Sequence, residues 1–169
     1  GTIPGQGTAA KVQFYVEATD TLGATSTFPR WGPESGALYQ VQDGQPGSGL
    51  RHSFRIIQPT DDVDFQLASI NRYSNDRLSG TVIFNESEVY YDVGVRLKGA
   101  GGRGGSSHGY NVRFHTDHLY QGVHRTVAID RNGMHEILLK HMNNHAAGIA
   151  SMYDDAVQFI GPRSNKSGI

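Results

Sequence analysis

Glycine and basic residues are concentrated between positions 94 and 113 of this chain. Six glycines lie from Gly99 to Gly109, Arg96 and Lys98 precede them, and Arg113 follows. The backbone of a glycine-rich loop can approach a ligand closely, and Arg and Lys side chains neutralise phosphate charge. The stretch therefore contains the residue types of a phosphate-binding site.

Residues on both sides of the glycines alternate between apolar and polar, which is the pattern of strands with one buried face. Residues 99–104 match G-x-G-x-x-G, but a dinucleotide site needs a helix that opens at the last glycine. Because a strand follows instead, we predict a strand, a glycine loop and a second strand, as in the flap over ATP phosphates in kinases. Loop composition alone favours the alternative, a flexible hairpin tip.

Phosphoryl transfer needs a phosphate cradle, a cation on the phosphates and a carboxylate that holds this cation. The loop amides are the candidate cradle, the neighbouring basic residues are the candidate cations, and an acid at the start of a predicted helix is the candidate carboxylate. For the basic residues the alternative is a solvated strand face, and for the acid it is a favourable position at a helix N-terminus. The candidates are Arg96, Lys98, Gly99, Gly101, Gly102, Gly104, Arg113 and Glu136.

The histidines and serines indicate no further chemistry. His141 and His145 are four residues apart on a predicted helix, but the H-E-x-x-H pattern is lacking and no third ligand is in register. Ser106, Ser107 and His108 are adjacent in the sequence without a nucleophile elbow. We therefore predict no metal site in this segment and no hydrolase site.

Composition limits the function classes. The 169 residues contain no cysteine and carry a formal net charge of -1, so there is no disulfide framework and no electrostatic case for nucleic acid. No apolar run approaches the roughly 20 residues of a membrane span. The chain starts with Gly1 rather than methionine, and its first residues do not resemble a signal peptide. We expect a piece of a longer polypeptide.

Turn signals and apolar periodicity predict an α+β fold rich in antiparallel strands. A Gly/Pro/Ser-rich linker near residues 43–49 separates two segments. Residues 1–45 are expected to be the last strands of an immunoglobulin- or fibronectin-like sandwich, and residues 50–169 a second unit. The predicted strands cover residues 11–18, 24–28, 37–41, 52–57, 78–84, 89–97, 110–114, 126–130 and 156–160.

Two helices are predicted in the second unit. The first begins after Thr60 as the N-cap and carries Val63, Leu67 and Ile70 on its apolar side. The second is the main helix, covers residues 134–147, ends at Gly148 and is expected to pack against the strands.

The segment Val93-Gly94-Val95-Arg96-Leu97-Lys98-Gly99, a glycine/serine loop and Tyr110-Asn111-Val112-Arg113-Phe114 together resemble the core of the CotH family of atypical secreted kinases. The elements that follow also fit, and the resemblance covers roughly residues 50–169. It implies an N-terminal kinase-like lobe that binds ATP and Mg²⁺, with the metal-binding acids expected downstream of this chain.

The resemblance further implies a secreted or cell-surface bacterial protein that transfers phosphate to protein targets and has immunoglobulin-like neighbouring domains. We expect this segment alone to be inactive. The competing hypothesis is a non-enzymatic extracellular adhesion or carbohydrate-binding module.

Overall fold

A computed structural model describes residues 2–41, 44, 52–99, 101–105, 108–130, 134–149, 156–163 and 165–168. Strands predominate among these residues, together with two α-helices. The strands are β1 (Lys11–Gln13), β2 (Val16–Thr19), β3 (Thr25–Phe28), β4 (Leu38–Gln40), β5 (His52–Ile57), β6 (Leu78–Phe84), β7 (Glu88–Leu97), β8 (Tyr110–Arg113), β9 (Thr126–Ile129), β10 (Val157–Ile160) and β11 (Asn165–Gly168). The helices are α1 (Thr60–Leu67) and α2 (Met134–His145).

The main sheet has seven strands in the order β11-β10-β5-β6-β7-β8-β9. Strands β10 and β5 are parallel, and the other neighbours are antiparallel. The predicted β-rich α+β fold is confirmed. The tail after Arg163 contains β11.

The core lies on one face of this sheet and follows the predicted alternation. Val93, Val95 and Leu97 of β7 are at most 1% exposed, whereas Arg96 between them is partly exposed. An aromatic cluster closes the core around Tyr120, whose ring centroid lies 5.2 Å from that of Phe84. Alternation of this kind directs every second side chain of a strand into the core.

The N-terminal segment covers part of the opposite face. Thr81 in β6 donates its hydroxyl proton to the Gly36 carbonyl at 2.7 Å and accepts the Leu38 amide at 2.8 Å. The ring of Tyr91 packs edge-on against Phe14 at 5.5 Å. Residues 35–38 are thus attached directly to the main sheet.

The first predicted strand, residues 11–18, is interrupted in the structure. β1 pairs with β4, and β2 forms a separate hairpin with β3. Val16 is 58% exposed, so the expected apolar face does not continue past Phe14. Tertiary pairing with two different partners divides the stretch.

Both helices differ from expectation at their ends. Pro59 occupies the N-cap position of α1 and Thr60 is its first residue, so the prediction of Thr60 as cap was wrong. Ile70 lies beyond the helix and is 87% exposed. In the described residues, neither helix is long and apolar enough to span a membrane.

The main helix, α2, ends at His145, two residues before the predicted end. Leu138, Leu139 and Met142 are each at least half exposed. α2 therefore does not bury these side chains against the described strands, contrary to the expected packing.

Candidate functional site

The glycine loop connects two paired strands, as predicted. Strands β7 and β8 are antiparallel, with Leu97 opposite Tyr110. Beyond this pair, the Lys98 amide donates to the Gly109 carbonyl at 2.8 Å and closes the loop. The strand, glycine loop and strand order is confirmed.

The residues of β7, β8 and β9 that point away from the core form one surface, which we call the polar face. Sheet register places Gly94 opposite Arg113 and Arg96 opposite Asn111. On the other side of β8, Arg113 and Asn111 pair with residues of β9. The polar face consists of Gly94, Arg96, Lys98, Gly109, Asn111, Arg113, Thr126, Ala128 and Asp130.

Lys98 is held by a carboxylate at the loop end of the polar face. Its Nζ lies 2.5 Å from Oδ2 of Asp130, and both side chains are about one-third exposed. Glu136, the predicted carboxylate, is exposed and forms no ion pair with a described residue. The acid beside this lysine is therefore Asp130, which directly follows β9.

Arg103 anchors the glycine loop. The loop contains a short 3₁₀ turn, Gly101–Gly104, and the Arg103 side chain is only 5% exposed. Its guanidinium donates to the Ser74 carbonyl at 2.8 Å and to Oδ1 of Asn75 at 3.1 Å. Arg103 thus attaches the glycine loop to the α1–β6 connection.

The guanidinium of Arg103 is held close to another cation. Burial and, to a smaller extent, the nearby Arg96 charge lower the pKa of Arg103. Arg96 donates to the same Asn75 oxygen at 3.0 Å. Two arginines consequently share one neutral acceptor at the junction of loop and polar face.

Arg77, which was not among the predicted site residues, covers part of the polar face. Its guanidinium donates to the carbonyl of Asn111 at 3.0 Å and to the side-chain Oδ1 of the same residue at 2.7 Å. Burial lowers the pKa of Arg77, with further lowering by the charges of Arg96 and Arg113. Asn111 thus binds the guanidinium of Arg77, which lies close enough to Arg96 and Arg113 for their charges to affect its pKa.

The predicted loop glycines differ in their surroundings. Gly99 has a φ of +87°, in the region that favours glycine, and no atom lies within 4 Å of where its Cβ would be. The corresponding position at Gly101 is equally open, whereas at Gly104 it lies 2.9 Å from the Tyr73 hydroxyl. Gly102 lies within the 3₁₀ turn. Space for a side chain is thus open at Gly99 and Gly101 but not at Gly104.

The histidines do not form a metal centre in the described part of the chain. The rings of His141 and His145 stack with centroids 4.1 Å apart. No group of three or more potential ligands occurs among the described residues. Ser106 and Ser107 lie outside the described residues.

Three contributors to this site were missed from the sequence: Arg77, Arg103 and Asp130. Arg103 is the one arginine or lysine within the glycine loop, which is a local signal for a special role. Arg77 and Asp130 have no such signal, because their positions depend on pairing between distant strands. Comparisons of the chain with models of protein families, with curated proteins and with solved structures gave no significant match.

Proposed function

We propose that residues 50–169 form the N-terminal part of a CotH-like, ATP-dependent protein kinase. The observation that carries the proposal is that the glycine loop joins the two strands of one hairpin and that all three predicted cations, Arg96, Lys98 and Arg113, lie on the same face of this hairpin. A phosphate cradle and cations on a common surface are what phosphoryl transfer requires of a nucleotide site.

The donor set of this surface fits a polyphosphate. Arginine presents five N–H donors in a planar fork that matches phosphate oxygens, and lysine supplies a compact positive charge. Asp130 would hold Lys98 in position, in the way that a carboxylate orients the phosphate-binding lysine of kinases. ATP would supply the phosphoryl group, while these residues bind the phosphates and neutralise their charge.

The remaining parts of the proposal follow from the resemblance. The Mg²⁺-binding acids are expected downstream of this chain, the substrate is a protein, and the location is secreted or cell-surface. Nucleotide binding, rather than turnover, is therefore the property by which this chain tests the proposal.

The test is equilibrium binding of Mg-ATP, measured by titration calorimetry for the unmodified chain and for Lys98→Ala. A charged hydrogen bond contributes about 1.5–3 kcal/mol, so we expect binding to weaken by roughly 10- to 100-fold. Arg30→Ala is the matched control, because Arg30 is exposed and lies over the Trp31 ring in the N-terminal segment.

Binding of ATP no tighter than that of adenosine would contradict the proposal. The non-enzymatic adhesion or carbohydrate-binding module would then be the preferred hypothesis. If the unmodified chain and Lys98→Ala bind Mg-ATP equally tightly, only the assignment of Lys98 as a phosphate-binding residue is contradicted.

A further inference from the structure

The side chain of Arg77 can lie against the polar face because residue 94 is a glycine. Its Cδ lies 3.0 Å, and its Cβ 3.2 Å, from the point where a Cβ on Gly94 would be. A larger residue at position 94 would therefore displace the Arg77 stem. The absence of a side chain at Gly94 allows Arg77 to lie flat across β7 and reach Asn111 on β8.

Arg96 and Arg113 flank the point that Arg77 reaches. Arg96 is directly opposite Asn111, and Arg113 lies two residues further along β8. Directly opposed residues of antiparallel strands have Cβ atoms about 5 Å apart, and diagonal neighbours about 7–8 Å. The Arg77 guanidinium, which binds Asn111 between these two positions, therefore lies near both arginines.

The three arginines lack acidic partners in the described part of the chain. Among the described residues, Arg77 and Arg96 donate only to asparagine side chains and a backbone carbonyl. Arg113 is exposed and makes no hydrogen bond or ion pair with a described residue. Most of their N–H donors consequently remain available to a ligand.

Two other cations of the described chain, one of them at the loop end of the polar face, do pair with acids. Arg55 donates to Glu86 at 3.0 Å, and Lys98 is paired with Asp130. Like charges held this close repel one another, and the pKa of Arg77 is lowered partly for that reason. An anion bound between the three guanidinium groups would remove this repulsion.

We infer that Arg77, Arg96 and Arg113 form a binding site for the di- or triphosphate group of a ligand, on the outer face of β7 and β8. The identification of this ligand as a nucleotide rests on the proposed function, but the anion site does not. A triphosphate carries several negative charges within a few ångströms, which matches three clustered arginines better than a single carboxylate does.

The neighbouring surface limits the size of the anion. Thr126 and Ala128 on β9 are uncharged, and Asp130 at the loop end is acidic. The positive surface is therefore bounded on the β9 side and at the loop end, and the whole chain has a net charge of -1. An extended nucleic-acid backbone would require a longer basic surface.

The experiment compares calorimetric titrations of sodium triphosphate, ATP and adenosine into the unmodified chain, Arg77→Ala and Arg113→Ala. We expect triphosphate affinity to fall by at least tenfold in each variant, and Arg77→Lys to retain part of it. Arg30→Ala should bind triphosphate as the unmodified chain does. Arg113→Ala keeps the test informative if Arg77→Ala fails to fold, because the Arg113 side chain is exposed and has no packing role comparable to that of Arg77.

The outcomes separate this inference from the proposed function. If triphosphate binds as expected but ATP binds no more tightly than triphosphate does, the anion site is supported and the proposed nucleotide function is contradicted. If ATP binds but neither arginine variant weakens it, the proposed function stands and the site is overturned. Failure of triphosphate to bind also overturns the site. If a single-stranded oligonucleotide binds more tightly than triphosphate and Arg77→Ala weakens both equally, the assignment of the ligand as a polyphosphate is overturned.

Discussion

The two faces of the β7–β8 hairpin are covered in different ways. On one face Val95, Leu97 and Val112 are almost completely buried in the core. On the other, Arg96 and Arg113 keep access to solvent and Arg77 crosses the strands. The comparison indicates that the two faces of one hairpin differ in role: the apolar face forms part of the core, while the polar face concentrates positive charge at the surface.

The apolar face should give the largest effect on stability. Leu97→Ala removes a side chain that is 1% exposed, and such truncations cost about 2–5 kcal/mol of the unfolding free energy. Chemical denaturation measures the change. Leu22→Ala is the control, because Leu22 is 92% exposed and its truncation should change stability by less than about 0.5 kcal/mol. Equal effects of the two variants would contradict the assignment of this face to the core.

A second test concerns Tyr110, at the apolar side of the hairpin next to the glycine loop. Burial raises the pKa of Tyr110 to about 12, from the ordinary value of 10.0 for tyrosine. Between these values the unfolded chain loses a proton that the folded chain retains, so rising pH favours unfolding.

We expect the unfolding free energy of the unmodified chain to fall between about pH 10 and 12, with a contribution from Tyr110 of at most about 1.4 kcal/mol per pH unit. In Tyr110→Phe this contribution is absent, so the unfolding free energy should fall less steeply with rising pH. Denaturation curves of both proteins at pH 9, 10, 11 and 12 give the unfolding free energy at each pH. The same pH dependence in both proteins would show that burial does not raise the pKa of Tyr110.

The polar face should give the smallest effect on stability. Arg113→Ala removes an exposed cation from a cluster of like charges, so we expect a change of less than about 0.5 kcal/mol, with a slight gain at low salt. Added salt screens the repulsion between the cations and should abolish this gain in stability. Arg113→Lys keeps the positive charge, so we expect no gain in stability in that variant. A clear loss of stability in Arg113→Ala would mean that the polar face contributes to folding after all.

The β7–β8 hairpin was predictable because its information is local. Strict alternation from Val93 to Leu97 identifies the buried face, and the six glycines identify the loop between the strands. The same alternation assigns Arg96 to the opposite face. Sequence reasoning was less successful for α1, where the helical spacing continues to Ile70 but the helix stops at Leu67.

The amino-acid sequence by itself determined the strand order around the glycine loop, the identity of the buried face and the presence of cations beside the loop, because periodicity and glycine content act over a few residues. Only the tertiary structure decided that Asp130 pairs with Lys98, that Arg103 anchors the loop on residues 74–75, and that Arg77 joins Arg96 and Arg113. These contacts connect positions about thirty residues apart. Their partners are set by sheet register and by packing over Gly94, which no local pattern encodes.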